Sequence, residues 1–92
     1  MFPKVKRIQN KALIQAIGQR SCIICGMKNP HVHHVTTRGA GGDDVENNLV
    51  PLCSAHHTEI HQVGNQAMAD KYPAFHIWIE IQGRNDLLKK GN

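Results

Sequence analysis

The chain has 92 residues, a net charge of +4 with histidines neutral, three cysteines, seven histidines and few aromatics (Phe2, Tyr72, Phe75 and Trp78). That length makes one domain and buries only about 60–65% of the surface its unfolded form exposes, so a metal cross-link is the natural supplement to a thin core. An odd cysteine count excludes a closed disulfide framework, and no apolar run reaches membrane-spanning length. Gln9, Asn10, Lys11 and Gln15 break any signal-peptide run after the basic start, so reducing cytoplasm is the expected compartment.

In chain order, Pro3 suits a first helical turn, and Val5, Ile8, Ala12, Leu13, Ala16 and Ile17 recur at helical spacing until Gly18. This predicts an amphipathic helix over 4–17 whose outer face carries Lys4, Arg7 and Lys11. Cys22 to Gly26 reads as a knuckle-like turn, and Val32 to Val35 as a short strand after Asn29-Pro30. Thr36 to Asn47, with Gly39, Gly41, Gly42, Asp43 and Asp44, lacks apolar periodicity and reads as a long connection to a returning strand, Leu49 to Leu52. Ser54 to Gln62 contains no Gly or Pro and reads as a helix ended by Gly64, followed by a short helix at 65–71. For Ala74 to Gln82 both periods fit, and Pro73 and Gly83 at its ends decide for helix.

Two clusters carry chemistry. Cys22 and Cys25 are separated by two residues, and so are Cys53 and His56. These are the paired spacings of a tetrahedral structural zinc site, with every cysteine used. His57 and His61 lie four apart, hence about 40° apart around a helix, and can grip one ion together, whereas His56 points about 100° away toward the first site. In His31-Val32-His33-His34-Val35, strand alternation puts His31 and His33 on one face and His34 on the other, and periodicity alone does not choose which of them meets His57 and His61.

The run His33-His34-Val35, the glycine-rich loop, Asn48-Leu49-Val50-Pro51-Leu52-Cys53 and then His56-His57-x3-His61 resembles the HNH, or ββα-metal, endonuclease family over about residues 22–61. The resemblance implies that His34 is the general base, that His33, His57 and His61 hold a catalytic divalent ion, and that Asn48 braces the hairpin. Asn47 is adjacent, but Asn48 has the family's spacing to Cys53 and His57. Many zinc-containing members close the zinc site with a fourth cysteine where this chain has His56. His31 is expected at the surface, as an alternative ligand, and His76 is read as structural.

The implied fold is small and α+β: a treble-clef-like ββα-metal motif with a structural zinc and flanking N- and C-terminal helices. It makes a single domain, 1–92, with an N-terminal helix in 1–20, a zinc-knuckle and ββα core in 21–63 and a C-terminal helical segment in 64–92. The implied activity is metal-dependent hydrolysis of phosphodiester bonds in DNA, of the compact sort found in phage and prophage genomes. All-imidazole ligation favours Mn²⁺, Co²⁺, Ni²⁺ or Zn²⁺ over Mg²⁺. The pI of about 9.2 fits a phosphate-bearing partner, with Arg38 and Lys28 as candidate backbone contacts. The competing readings are a zinc-stabilised nucleic-acid-binding module without catalysis and an RNA-cutting enzyme with the same chemistry.

Overall fold

The computed structural model describes residues 7–88. Among these residues the architecture is α+β: three α-helices and one two-stranded antiparallel sheet, in the order α1 (Lys11–Gly18), β1 (His31–His34), β2 (Leu49–Leu52), α2 (Ser54–Lys71) and α3 (Pro73–Ile81). None of the helices among the described residues is long and apolar enough to cross a membrane.

Helix α1 is shorter than the periodicity predicts. The positions at 4–6 lie outside the described residues, and residues 7–10 are not helical. Two causes act at this end. The Asn10 side chain accepts a hydrogen bond from the Leu13 amide at 3.0 Å, which makes it the helix cap. Upstream, the Ile8 amide donates to Asp43 at 2.7 Å and the Asn10 amide to Asp44 at 2.9 Å, so the backbone is tied to the distant loop. These contacts override the helical spacing of Ile8.

The knuckle turns at Gly26, whose φ of 78° favours glycine. Its ends close through Gly26 N–H to Cys22 O and Cys22 N–H to Met27 O, at 2.8 and 2.9 Å. The turn then docks on β2, because Ile23 N–H donates to Pro51 O at 3.1 Å. In the sheet, His31 stands opposite Leu52 and His34 opposite Leu49, so β1 begins one residue before the predicted Val32 and ends before Val35. All four residues of β2 are buried.

Helix α2 is broken at Gly64, where φ is 87° and ψ 172°, as the glycine suggested. Pro73 opens α3 without a lost hydrogen bond. The core joins Cys22, Val35, Val50, Leu52, Cys53, Ile60, Met68, Ala69, Phe75 and Ile79, so two of the cysteines are part of it. The cysteine cluster lies at its edge, with Cys25 exposed while Cys22 and Cys53 are buried.

Candidate metal centre

The four residues of the first cluster converge from two elements. Cys22 and Cys25 come from the knuckle, while Cys53 caps the start of α2 and His56 lies in its first turn. Cys25 Sγ is 3.7 Å from Cys53 Sγ, Cys22 Sγ is 3.6 Å from His56 Nδ1, and Cys53 Sγ is 3.2 Å from the same nitrogen. A tetrahedral ion about 2.3 Å from sulfur and about 2.05 Å from nitrogen holds S···S edges of about 3.8 Å and S···N edges of about 3.6 Å. The 3.7 Å sulfur separation is far beyond a disulfide's ~2.05 Å. The cluster could hold a metal ion such as zinc.

Thiol electrostatics agree with that fit. Burial raises the Cys22 thiol, but hydrogen bonds from the backbone of Cys53, Cys25 and Ile24 and from the His56 ring outweigh it and bring it down to about 6. For Cys25 a backbone hydrogen bond at Met27 lowers the thiol, yet burial and the sulfurs of Cys22 and Cys53 together raise it. Three sulfurs so close favour thiolates only when a cation joins them. Tyr72 packs edge-on against His56, with ring centroids 5.0 Å apart, and its hydroxyl donates to Glu59 at 2.7 Å.

The second cluster is His33, His57 and His61. His33 comes from β1 and is buried at 6% exposure, whereas the two α2 histidines reach it from the helix surface. His57 Nε2 and His61 Nε2 are 3.1 Å apart, within the roughly 2.9–3.4 Å that octahedral or tetrahedral nitrogen ligands of one ion span. Burial, with the His57, His61 and His34 rings adding, pushes His33 down to about 3. His57 is lowered as well, by burial first and then by His61 and His31. Both shifts keep the rings neutral, which is the ligating form.

His31, expected at the surface with a ligand role as the alternative, is exposed and also meets this cluster: its Nδ1 is 2.9 Å from His57 Nδ1. That contact occupies the His57 nitrogen facing away from His61 and leaves Nε2 for an ion, the arrangement in which a ligand's second nitrogen is fixed by a neighbour. His34 points elsewhere, with its Nε2 2.8 Å from Asp44 Oδ1. Strand alternation is therefore obeyed: His31 and His33 share the α2 side, and His34 faces the loop. His33, His34, His57 and His61 nevertheless line one cleft of about 320 Å³, together with Val32, Thr37 and Arg38.

Asn48 is 2% exposed and joins the hairpin to its loop. Its Oδ1 accepts from Thr36 N–H at 2.8 Å, and its Nδ2 donates to Thr36 O at 3.0 Å and to Asp43 O at 2.9 Å. Asn47 is exposed, and its carbonyl accepts from Arg84 at 2.9 Å. Gly42 makes room for this bracing, since a Cβ there would lie 1.9 Å from Thr36 O and 2.8 Å from Asn48 Nδ2.

Of the candidate phosphate contacts, Arg38 is exposed at the rim of the histidine cleft, whereas Lys28 is exposed outside it. His76 is not a core histidine: it is half-exposed and stands 3.4 Å from Glu80 one helical turn on. Three residues around the site carried no local pattern. Asp44, 3% exposed, accepts from Arg7 at 2.9 Å as well as meeting His34. Arg84 reaches back to Thr36 Oγ1 at 2.8 Å and Asn48 Oδ1 at 3.2 Å.

With this geometry in place, the chain can be set beside known proteins. Residues 1–74 match the family described as "Protein of unknown function (DUF968)". The chain belongs to the DUF968 family. It is also similar to the uncharacterized protein YdfU of Escherichia coli (strain K12), at 32% identity over 74 residues, covering 77% of this chain and 21% of YdfU. This DUF968 chain thus spans about a fifth of the length of that relative. No solved structure matches it. The matched 1–74 region contains both clusters, Asn48, Asp44 and Arg7, and ends at the first residues of α3, before Arg84.

Proposed function

We propose that this chain is an HNH-type endonuclease domain, a ββα-metal motif built from β1, β2 and the first half of α2, which hydrolyses phosphodiester bonds in DNA. The observation that carries the reading is the division of labour along β1. His33 joins His57 and His61 in a set of nitrogens spaced for one ion, while the adjacent His34 lines the same cleft but is held apart by Asp44. A binding module needs no such second set beside a complete Cys3His cluster.

The donor chemistry fits a divalent transition ion at His33, His57 and His61: neutral nitrogens at ligand spacing with no carboxylate among them. When bound, such an ion would neutralise charge on the scissile phosphate and on the 3′ leaving oxygen. The remaining work falls to the chain's own side chains. His34 would take the proton of the attacking water, a role its place in the cleft permits. Asn48 and Gly42 hold β1 and the loop in the register that keeps His33 and His34 on their two faces. Arg38 at the rim would hold a flanking phosphate, positioning the strand without reading bases.

The test is cleavage of supercoiled plasmid by the purified full chain, with zinc at the cysteine cluster verified by metal analysis and Mg²⁺, Mn²⁺, Co²⁺, Ni²⁺ or Zn²⁺ added one at a time. Cleavage restored by transition ions and abolished by chelation is expected. Binding without cleavage under every ion would assign the chain to the non-catalytic zinc modules, and cleavage confined to an RNA substrate would move it to the RNA-cutting reading.

A further inference from the structure

The geometry points to Asp44 as the positioning residue that selects which nitrogen of His34 takes the proton. This inference rests on the nuclease reading for its catalytic consequence, but the pairing itself stands on separate observations. Asp44 Oδ1 lies 2.8 Å from His34 Nε2. The carboxylate is 3% exposed, and both of its oxygens are held: Oδ1 also accepts from Arg7 Nη1 at 2.9 Å, and Oδ2 accepts from the Asn10 amide at 2.9 Å. Arg7 in turn donates to Gly42 O at 3.1 Å, so the segment before α1 and the glycine-rich loop clamp the carboxylate between them.

An ionised carboxylate only accepts hydrogen bonds, so the Nε2 facing it must carry the ring's hydrogen. The lone pair of neutral His34 is then on Nδ1. In the proposed reaction, water gives its proton to Nδ1 as its oxygen bonds to phosphorus. The P–O3′ bond breaks, and its electron pair leaves with the 3′ oxygen, which takes a proton from solvent. Through this step Nε2–H stays on the ring, donating to Asp44, and Asp44 stays ionised beside the imidazolium. A buried carboxylate held by two other donors does not swing away or accept that proton, so the ring neither rotates nor changes tautomer between turnovers. Arg7 and Asn10 thereby give the segment before α1 a part in the site that its sequence, read as a helix face, concealed.

The experiment is long-range ¹H–¹⁵N NMR of the histidine rings in the zinc-loaded full chain, with the His34 signals assigned by their loss in His34→Gln. The wild type is expected to show His34 protonated at Nε2 and bare at Nδ1. Asp44→Asn, whose amide nitrogen can donate to Nε2, should move His34 toward the Nδ1–H form and lower kcat by roughly 10²-fold or more, with KM within about twofold. Arg7→Met removes the other partner of Oδ1 but not the His34 contact; it should keep the Nε2–H form even if it melts earlier. An Nδ1–H ring in the wild type, or an unchanged tautomer and kcat in Asp44→Asn, would overturn the assignment. Should Asp44→Asn fail to fold, the wild-type tautomer still decides it. Absence of cleavage in a wild type that shows the Asp44-dependent Nε2–H ring would remove the nuclease reading and leave the pairing standing.

Discussion

Replacing Cys53 with serine should unfold the domain rather than merely loosen it. Cys53 belongs to the cysteine cluster and, at 5% exposure, to the hydrophobic core. Through the cluster it joins α2 to a knuckle about thirty residues earlier, and a cross-link closing such a loop restrains the unfolded chain by roughly 3–4 kcal/mol. The ligand bonds add to this, so that structural zinc in a small domain contributes on the order of 10 kcal/mol. Domains of this kind are stable by about 5–15 kcal/mol in total. The loss is comparable with the whole stability, so Cys53→Ser should be unfolded, or nearly so, at 25 °C. Metal analysis and circular dichroism melts of wild type, Cys53→Ser and chelated wild type measure it. A Cys53→Ser chain that melted within a few degrees of wild type, or a wild type that bound no zinc, would refute the reasoning.

Gly42→Ala should cost about 1–3 kcal/mol, because its Cβ would sit 1.9 Å from a backbone oxygen and must push the loop off Asn48. Thermal melts would register that as a fall of several degrees, and an unchanged midpoint would show that the loop yields freely. The Asp44 carboxyl is held well below its ordinary 3.8 by the Asn10 amide first, then by His34 and Arg7. The folded state therefore keeps Asp44 ionised where the unfolded chain has taken up its proton. Its stabilisation is complete above pH 3.8 and is lost as pH falls below that value toward the folded pKa, so the melting gap between wild type and Asp44→Asn should be full at pH 6 and narrow below about pH 4. A gap that widened in acid would contradict this. DNA affinity should drop steeply with salt and vary little among unrelated duplexes, since a charge of +4 engages phosphates generally; a flat salt series would argue against it.

What could be read from the sequence was what lies within a few residues. The paired two-residue spacings of Cys22/Cys25 and Cys53/His56 named the first cluster; the four-residue spacing of His57 and His61 named half of the second, and the family resemblance, not strand alternation, singled out His33 to complete it. Both strands and the break at Gly64 followed from composition and punctuation. What escaped depends on contacts far apart in the chain. Arg7 pairs with Asp44, and Arg84 with Thr36 and Asn48, across stretches that carry no periodic signal. The same contacts explain the helix start, because Asp43 and Asp44 hold the Ile8 and Asn10 amides in an extended segment that hydrophobic spacing alone assigned to α1. His31 shows the intermediate case: alternation placed it on the His33 side, but only the packing of α2 brought its ring against His57.

The most direct test of the central claim is single-turnover cleavage of plasmid DNA by wild type and His34→Ala, with zinc content, second-site ion content and DNA affinity measured on the same preparations. His34 ligates neither ion in this account, so His34→Ala should keep both metals and its affinity while losing cleavage by roughly 10²–10⁴-fold. His57→Ala, in contrast, should lose the second ion together with activity and keep the first zinc. Cleavage by His34→Ala at the wild-type rate would contradict the account.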